Sequence, residues 1–269
     1  MPNDAAGGDR SPDRDALPFI APCRSAKLHD PVIWLRRGWG DLRRAPVPSI
    51  ALGVALLSLS YVIACGAWYF GTLALYLGLA TGFVFIGPLL AVGFYSISRR
   101  LEAGQIPSVT FCLKHGWKSL RELLTLGVVI LIVLLVWARA ASTIHVFFPS
   151  ESVRDWSALI PFLGIGSAVG AMFAAIVFGV SAFSLPMLLD RKTDSVTAAI
   201  TSVNAVLRNK QAMAVWAGII VACVIAGFAT ALLAFAVLLP LIGHATWHAY
   251  RATIDASAWP AREIPGDTV

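Results

Sequence analysis

Charged residues are scarce in this sequence of 269 residues: they make up 13% of it, whereas hydrophobic residues make up 58% and the mean hydropathy is +0.75. A water-soluble domain carries about 25% charged residues. Because so few polar side chains cannot cover a water-facing surface, we expect lipid to surround much of the chain. The net charge of +6 comes from basic residues that flank apolar runs, so no nucleic-acid partner is expected.

The sequence also lacks the motifs that mark soluble enzymes and metal sites. Its four cysteines form no CxxC pair, and we find no nucleotide-binding glycine loop, HExxH or GxSxG. No acidic residue falls inside a predicted span, which argues against an ion-coupled carrier. These absences disfavour an enzyme and predict no cofactor.

The two ends of the chain are polar. Residues 1–30 are rich in Pro, Gly, Asp and Arg, a composition typical of a disordered tail. They contain no apolar core like that of a cleavable signal peptide, so we expect the first span to direct insertion. Residues 31–255 are predicted to form the membrane domain, and residues 256–269 a C-terminal tail.

Long apolar runs occupy most of the region between the tails. A helix needs about 20 apolar residues to cross the hydrocarbon core. The apolar block 213–250 is too long for one span and is divided in two, although one long kinked helix is the alternative. The predicted fold is all-α, a polytopic bundle of six transmembrane helices arranged as three hairpins. The predicted spans are 49–70, 73–97, 123–147, 159–187, 213–229 and 232–250.

The basic residues predict the orientation in the membrane. With these spans, 19 of the 21 Lys and Arg residues fall on one side, and the exceptions are Arg139 and Arg154. Lys and Arg accumulate in cytoplasmic loops. The protein is therefore predicted to be a multi-pass protein of the bacterial inner membrane, with both termini in the cytoplasm.

Polar segments before the odd-numbered spans resemble one another. Gly38-Trp39 with Leu42-Arg43 matches Gly116-Trp117 with Leu120-Arg121, and each segment has apolar residues at helical spacing with basic residues between them. This pattern is typical of an amphipathic helix lying at the membrane surface. We predict cytoplasmic interfacial helices over Trp34–Arg44 and Phe111–Glu122 and a weaker one over 195–209, so that each hairpin follows such a helix in a threefold internal repeat. The alternative is that span ends generally carry aromatic residues and arginine.

Three strings resemble a known family. They are GPLLAVGFYSISRRLEAGQIP, SLPMLLDRKTDSVTAAITSVNAVLRNKQAMAVWA and LPLIGHATWHAYR. They resemble a bacterial family of predicted integral membrane proteins that carry domain of unknown function 2189, over residues 28–255. The resemblance implies a membrane topology and no mechanism.

Some members of that family are loosely labelled cytochrome c oxidase subunit I, and this label can be examined on the histidines. A haem-copper oxidase core needs six of them as ligands. The chain has five, and only His145, His244 and His248 fall within predicted spans. We therefore reject the oxidase-core interpretation.

Polar residues at the cytoplasmic ends of the even-numbered spans are the best candidates for a binding site. Charge in hydrocarbon costs several kcal/mol, so these side chains should turn inward. Three convergent arginines would suit an anionic headgroup, a phosphate or an acidic partner; the alternative is that each reaches phospholipid separately. The candidates at these ends are Tyr95, Arg99, Asp190, Arg191, Trp247 and Arg251.

Two further candidates lie inside the spans. Arg139 is an ionisable residue in the third span, which suggests function, although its long side chain can also reach the interface. His244 and His248 are four residues apart and share a helix face, which makes them weak candidates for metal or haem. Their alternative role is in an aromatic belt at the interface, and we predict no metal.

Three functions remain open at this stage. The first is a non-enzymatic helix bundle that binds or passes a small molecule or lipid. The second is an accessory or interaction subunit that docks on anionic lipid or on a membrane protein partner. The third, less favoured, is a membrane enzyme. Membrane lipids are the expected partners in every case.

Overall fold

The computed structural model of the protein describes residues 18–70, 90–107, 120–147 and 156–263. These residues are almost entirely helical, and the extended pairing among them is limited to two isolated β-bridges. The described helices are α1 (Asp30–Arg44), α2 (Pro46–Phe70), α3 (Val92–Glu102), α4 (Leu120–Phe147), α5 (Trp156–Ser181), α6 (Ser184–Asp190), α7 (Ser195–Arg208), α8 (Lys210–Ala229) and α9 (Phe235–Thr253).

Four described segments are long and apolar enough to cross a membrane: Pro46–Gly66, Leu123–Thr143, Leu163–Asp190 and Lys210–Ala229. They coincide with the predicted first, third, fourth and fifth spans. Most of the predicted second span, 73–97, lies outside the described residues. The predicted sixth span is helical in α9. It contains polar residues such as His244, His248 and Arg251, and it is not among the four segments that are apolar enough to cross a membrane.

The apolar block 213–250 is divided into two helices. α8 ends at Ala229 and α9 begins at Phe235, with a turn between them. Ala231 and Leu232 adopt positive φ angles of 50° and 71° in this turn. One long kinked helix is thereby excluded.

α9 is the central helix of the described structure and contacts α1, α2, α3, α6 and α8. Glycines allow two of these close crossings. A Cβ at Gly38 of α1 would lie 2.6 Å from the backbone nitrogen of Ala245, and one at Gly243 of α9 would lie 2.6 Å from the Cβ of Phe94 in α3. α9 is thus enclosed by other helices, which explains how it accommodates polar side chains.

α1 follows the amphipathic pattern predicted for residues 34–44. Pro31, Trp34, Gly38, Asp41 and Leu42 are buried at helical spacing, while the basic residues between them are exposed. Of the two tryptophans in this helix, Trp34 is the buried one and packs edge to face on Trp216 of α8. The second predicted interfacial helix, including Trp117, falls largely outside the described residues, so its equivalence to α1 remains a prediction.

Parts of both predicted tails, residues 18–29 and 256–263, pack on the helices. Residues 18–29 were expected to be part of a disordered tail, yet the structure holds them between α7 and the end of α9. The backbone N–H of Ala26 donates to the side-chain oxygen of Asn209 at 2.6 Å, and that of Arg24 donates to the carbonyl of Thr253 at 2.8 Å. These side-chain and backbone partners come from distant parts of the sequence, so composition alone did not indicate them.

The segment that follows α9 is also packed on the helices. Residues 254–263 run back over the ends of α6 and α9, with Ile254, Ala256 and Trp259 buried. We call residues 259–262 the C-terminal strap. Its contacts place it directly on the polar residues described next.

Candidate functional site

The described ends of α3, α6 and α9 meet at one place in the bundle. α6 is only seven residues long and wholly buried, and Asp190 is its last residue. Arg99 lies near the end of α3 and Arg251 near the end of α9. The three predicted even-numbered spans therefore bring their polar ends together.

The carboxylate of Asp190 is the centre of this cluster. Its Oδ1 lies 3.4 Å from Nε of Arg99, and its Oδ2 lies 3.0 Å from Nε of Arg191 and 3.6 Å from Nη1 of Arg251. The hydroxyl of Tyr250 donates to Oδ2 at 2.9 Å. Arg99 and Asp190 are almost fully buried, whereas Arg251 remains partly exposed. Three guanidinium groups thus face one buried carboxylate.

A second carboxylate extends the cluster toward the surface. Glu102 accepts a hydrogen bond from Nε of Arg251 at 3.0 Å and one from the indole nitrogen of Trp247 at 2.9 Å. Glu102 was not among the candidate site residues predicted from the sequence. Its position one helical turn after Arg99 is the signal that could have indicated it.

Arg99 and Arg251 differ in how well nearby carboxylates compensate their charge. Burial lowers the pKa of Arg99, and the nearby Asp190 carboxylate offsets this only in part. Burial also acts against the charge of Arg251, but Glu102 and Asp190 outweigh it and the pKa of Arg251 is raised. Arg99 is therefore the less compensated of the two cations.

The remaining predicted site residues divide between the cluster and other places. Tyr95 is buried and lies near Thr246, across the α3–α9 contact. Arg139 is exposed on α4 and is not brought to the Asp190 cluster. Its carbonyl accepts a hydrogen bond from Thr143 at 2.9 Å.

His244 and His248 take part in a buried hydrogen-bonded network. The ring of His244 lies between two hydroxyls, with Nε2 2.9 Å from Oγ of Ser49 and Nδ1 2.8 Å from Oγ of Ser98. Nε2 of His248 lies 2.8 Å from Oδ2 of Asp41, and Ser98 lies near the same carboxylate. The network joins α1, α2 and α3 to α9. Among the described residues, no group of three or more His, Cys, Asp or Glu side chains is placed to hold a metal ion.

Asp41 is a site residue that sequence reasoning missed. Positions 34, 38 and 41 are one helical face of α1, and burial of this face makes an acidic residue there conspicuous. Ser49 and Ser98 carried no comparable signal, because single serines near span ends are common. Their role depends on which helices pack together.

Large apolar side chains are exposed on the outer faces of α4 and α5. In α4 these include Val128, Leu131, Ile132, Leu135 and Val136. A water-soluble monomer does not expose apolar surface over the length of a helix. Together with the polar side chains enclosed within the bundle, this surface defines an integral membrane protein of the helical class.

Residues 75–190 match the model of a family described as Predicted integral membrane protein (DUF2189). The match confirms the resemblance noted in the sequence, over a shorter stretch than the predicted 28–255. No curated protein and no solved structure matches the chain.

Proposed function

We propose that the protein is a non-enzymatic, multi-pass protein of the bacterial inner membrane that docks on anionic phospholipid headgroups through α1. The observation that carries this proposal is the exposed face of α1. It combines four arginines with apolar side chains, opposite a face that is buried against α8 and α9. The exposed residues of this face are Val32, Ile33, Arg36, Arg37, Trp39, Arg43 and Arg44.

The geometry of this face suits the boundary between headgroups and hydrocarbon. The guanidinium of Arg43 lies 5.2 Å from the ring centre of Trp39, so a cation and an amphipathic ring are presented together. α1 ends at Arg44, directly before α2 begins at Pro46. Each basic residue near an anionic leaflet contributes about 1 kcal/mol of attraction. Apolar neighbours add insertion into the interface.

The geometry favours this docking role over a permeation pathway, because the basic residues of α1 are exposed whereas the Asp190 cluster is occupied by its own partners. It also favours the lipid over an acidic membrane partner. Exposed Val32, Ile33 and Trp39 lie among the arginines, and lipid offers both phosphate and hydrocarbon to such a mixture.

Two double variants, each of which removes two exposed cations, are compared to test the docking proposal. The full-length protein is purified in detergent, and native mass spectrometry measures bound phosphatidylglycerol. We expect R36Q/R37Q on α1 to reduce bound lipid severalfold, because two exposed cations are lost. The matched variant R208Q/K210Q removes two exposed cations near the start of α8 and should change it little. Equal losses in the two variants would contradict a specific role of α1.

We further propose that the chain makes six crossings with both termini in the cytoplasm. The described ends support an even number: the N–H of Arg24 donates to the carbonyl of Thr253, and the N–H of Asp255 donates to the carbonyl of Pro22 at 2.9 Å. Both described ends therefore lie on one side of the bundle. Reporter fusions after residues 46, 151 and 258 should be read as inside, outside and inside. An outside signal at residue 258 would refute the six-span topology.

The grouping of Arg99, Asp190 and Arg251 supports a further proposal, that the spans form three hairpins, each preceded by an interfacial helix. In a threefold repeat the ends of the even-numbered spans are equivalent positions. Cysteine-accessibility labelling at each position from 109 to 122 is the test: protection that recurs every three to four residues is expected for an interfacial helix. Uniform labelling across this segment would argue against the repeat.

A further inference from the structure

The C-terminal strap pairs with the segment that follows Asp190. The N–H of Lys192 donates to the carbonyl of Pro260 at 2.9 Å, and the N–H of Arg262 donates to the carbonyl of Asp190 at 2.8 Å. Trp259 is buried and fixes one end of the strap. The strap thereby covers the buried side of the arginine cluster.

Backbone carbonyls of the strap accept hydrogen bonds from two of the clustered arginines. Nη1 of Arg191 donates to the carbonyl of Trp259 at 3.1 Å, and Nη2 of Arg99 donates to the carbonyl of Arg262. A guanidinium forms its strongest hydrogen bonds with anionic oxygens, in paired geometry. The strap therefore presents neutral oxygens where charged oxygens would bind more strongly.

The cluster has more positive than negative charge. Arg99, Arg191, Arg251 and the strap's Arg262 gather around two carboxylates, Asp190 and Glu102. In addition, Nη1 of Arg99 has no hydrogen-bond partner among the described residues, although Arg99 is only 6% exposed. A buried charged donor without an acceptor is unfavourable, because its lost hydration is not replaced. Over the described residues, these four guanidinium groups exceed the two carboxylates by two charges, and Nη1 of Arg99 is without an acceptor.

We propose that the strap is a displaceable internal substitute for a phosphate group, which binds Arg99 and Arg191 when the strap lifts. A phosphate monoester or inorganic phosphate supplies the missing charge, about −1.5 to −2 at neutral pH, and several acceptor oxygens. The strap carbonyls occupy the positions of those oxygens when no phosphate is bound. The inference does not depend on lipid docking by α1, which uses other residues.

Hydrogen–deuterium exchange on the full-length wild-type protein in detergent tests the displacement directly. Inorganic phosphate is titrated against chloride at equal ionic strength. Phosphate should speed exchange at the amides of Lys192 and Arg262 severalfold, because both lose their partners when the strap lifts. Slowed exchange at these two amides would overturn the proposal.

Variants of the strap test the competition. Trp259→Ala should bind inorganic phosphate about tenfold more tightly than wild type, since a strap without its buried anchor is displaced more easily. Ser257→Ala alters an exposed residue beside the strap and should leave phosphate affinity unchanged. Arg191→Gln in the Trp259→Ala background should lose binding. If Trp259→Ala and wild type bind equally, the strap is not a competitor.

A measurement with lipids distinguishes a phospholipid headgroup from a soluble phosphate as the ligand. The same exchange measurement is made in nanodiscs of phosphatidylcholine with phosphatidic acid, whose headgroup is a phosphate monoester, and with phosphatidylglycerol as the diester control. Faster exchange with phosphatidic acid but not with inorganic phosphate assigns the site to a lipid headgroup. Faster exchange with inorganic phosphate assigns it to a soluble ligand, and no effect of either probe overturns the proposal.

Discussion

The indole rings of Trp34 and Trp216 meet edge to face, with ring centroids 5.9 Å apart and planes inclined at 84°. Both side chains are buried, so the pair attaches α1 to α8. We expect Trp34→Ala to lower the free energy of unfolding by about 3–5 kcal/mol, measured by denaturant unfolding in detergent, because a large cavity is left. Trp39→Ala, on the exposed face of the same helix, should change it by less than about 0.5 kcal/mol. Similar losses in both would show that Trp34 does not anchor α1.

Two glycines of α1 give a matched test of the crossing with α9. A Cβ at Gly38 would lie 2.6 Å from the backbone of Ala245, whereas a Cβ at Gly40 would meet nothing within 4 Å. Gly38→Ala should therefore destabilise the protein by about 1–3 kcal/mol. Gly40→Ala should stabilise it by up to about 1 kcal/mol through helix propensity. Thermal unfolding in detergent compares the two, and a shift of the same sign would contradict the close crossing.

The hydrogen-bonded contact between the Asp41 carboxylate and His248 predicts a loss of stability in acid. Burial would raise the pKa of Asp41, but hydrogen bonds with His248 and Ser98 outweigh it and hold the pKa below its ordinary 3.8. A lowered pKa means that the ionised form stabilises the fold above the unfolded pKa, and that this contribution disappears as the pH falls through the folded pKa.

Asp41→Asn separates this contribution from that of other acidic residues. At pH 6 the wild type should unfold at a higher temperature than the variant, and the gap should shrink as the pH falls below about 4. A gap that stays constant from pH 6 to pH 3 would mean that Asp41 does not titrate as its surroundings require.

The turn between α8 and α9 is strained at Ala231, where φ is 50°. A left-handed conformation costs an L-residue roughly 1–2 kcal/mol, and glycine avoids that cost. Ala231→Gly should therefore raise the thermal stability. Ala234, with φ of −62°, is the control, since Ala234→Gly should lower stability by up to about 1 kcal/mol. A loss in both variants would indicate that the turn carries no strain.

Hydropathy was sufficient to predict α2, α4, α5 and α8, because each of these helices is apolar along its own length. α9 is different: its polar residues find partners only after α1, α2 and α3 surround it. The sequence placed Arg99, Arg191 and Arg251 at one end of the bundle. It did not indicate that one carboxylate, Asp190, faces all three, because pairing within a cluster depends on tertiary geometry.

The position of the C-terminal strap was not predicted from the sequence at all. Residues 256–269 resemble a polar tail by composition, and only Trp259 hinted otherwise, since a large aromatic residue rarely stays in water when a partner surface is near. The hydrogen bonds that hold the strap use backbone atoms, which any residue possesses. Sequence reasoning therefore had little on which to base a prediction of its position.

The pairing of residues 22–24 with residues 253–255 has a consequence for biosynthesis. The N-terminal segment leaves the ribosome first, but its partners at the end of α9 are made last. At about 5–20 residues per second, it waits roughly 10–50 s for them. During that time α1 also lacks the helix against which Gly38 packs. The end of the bundle that these two segments form can therefore close only after translation of α9, so a chain stalled before this helix has an incomplete bundle.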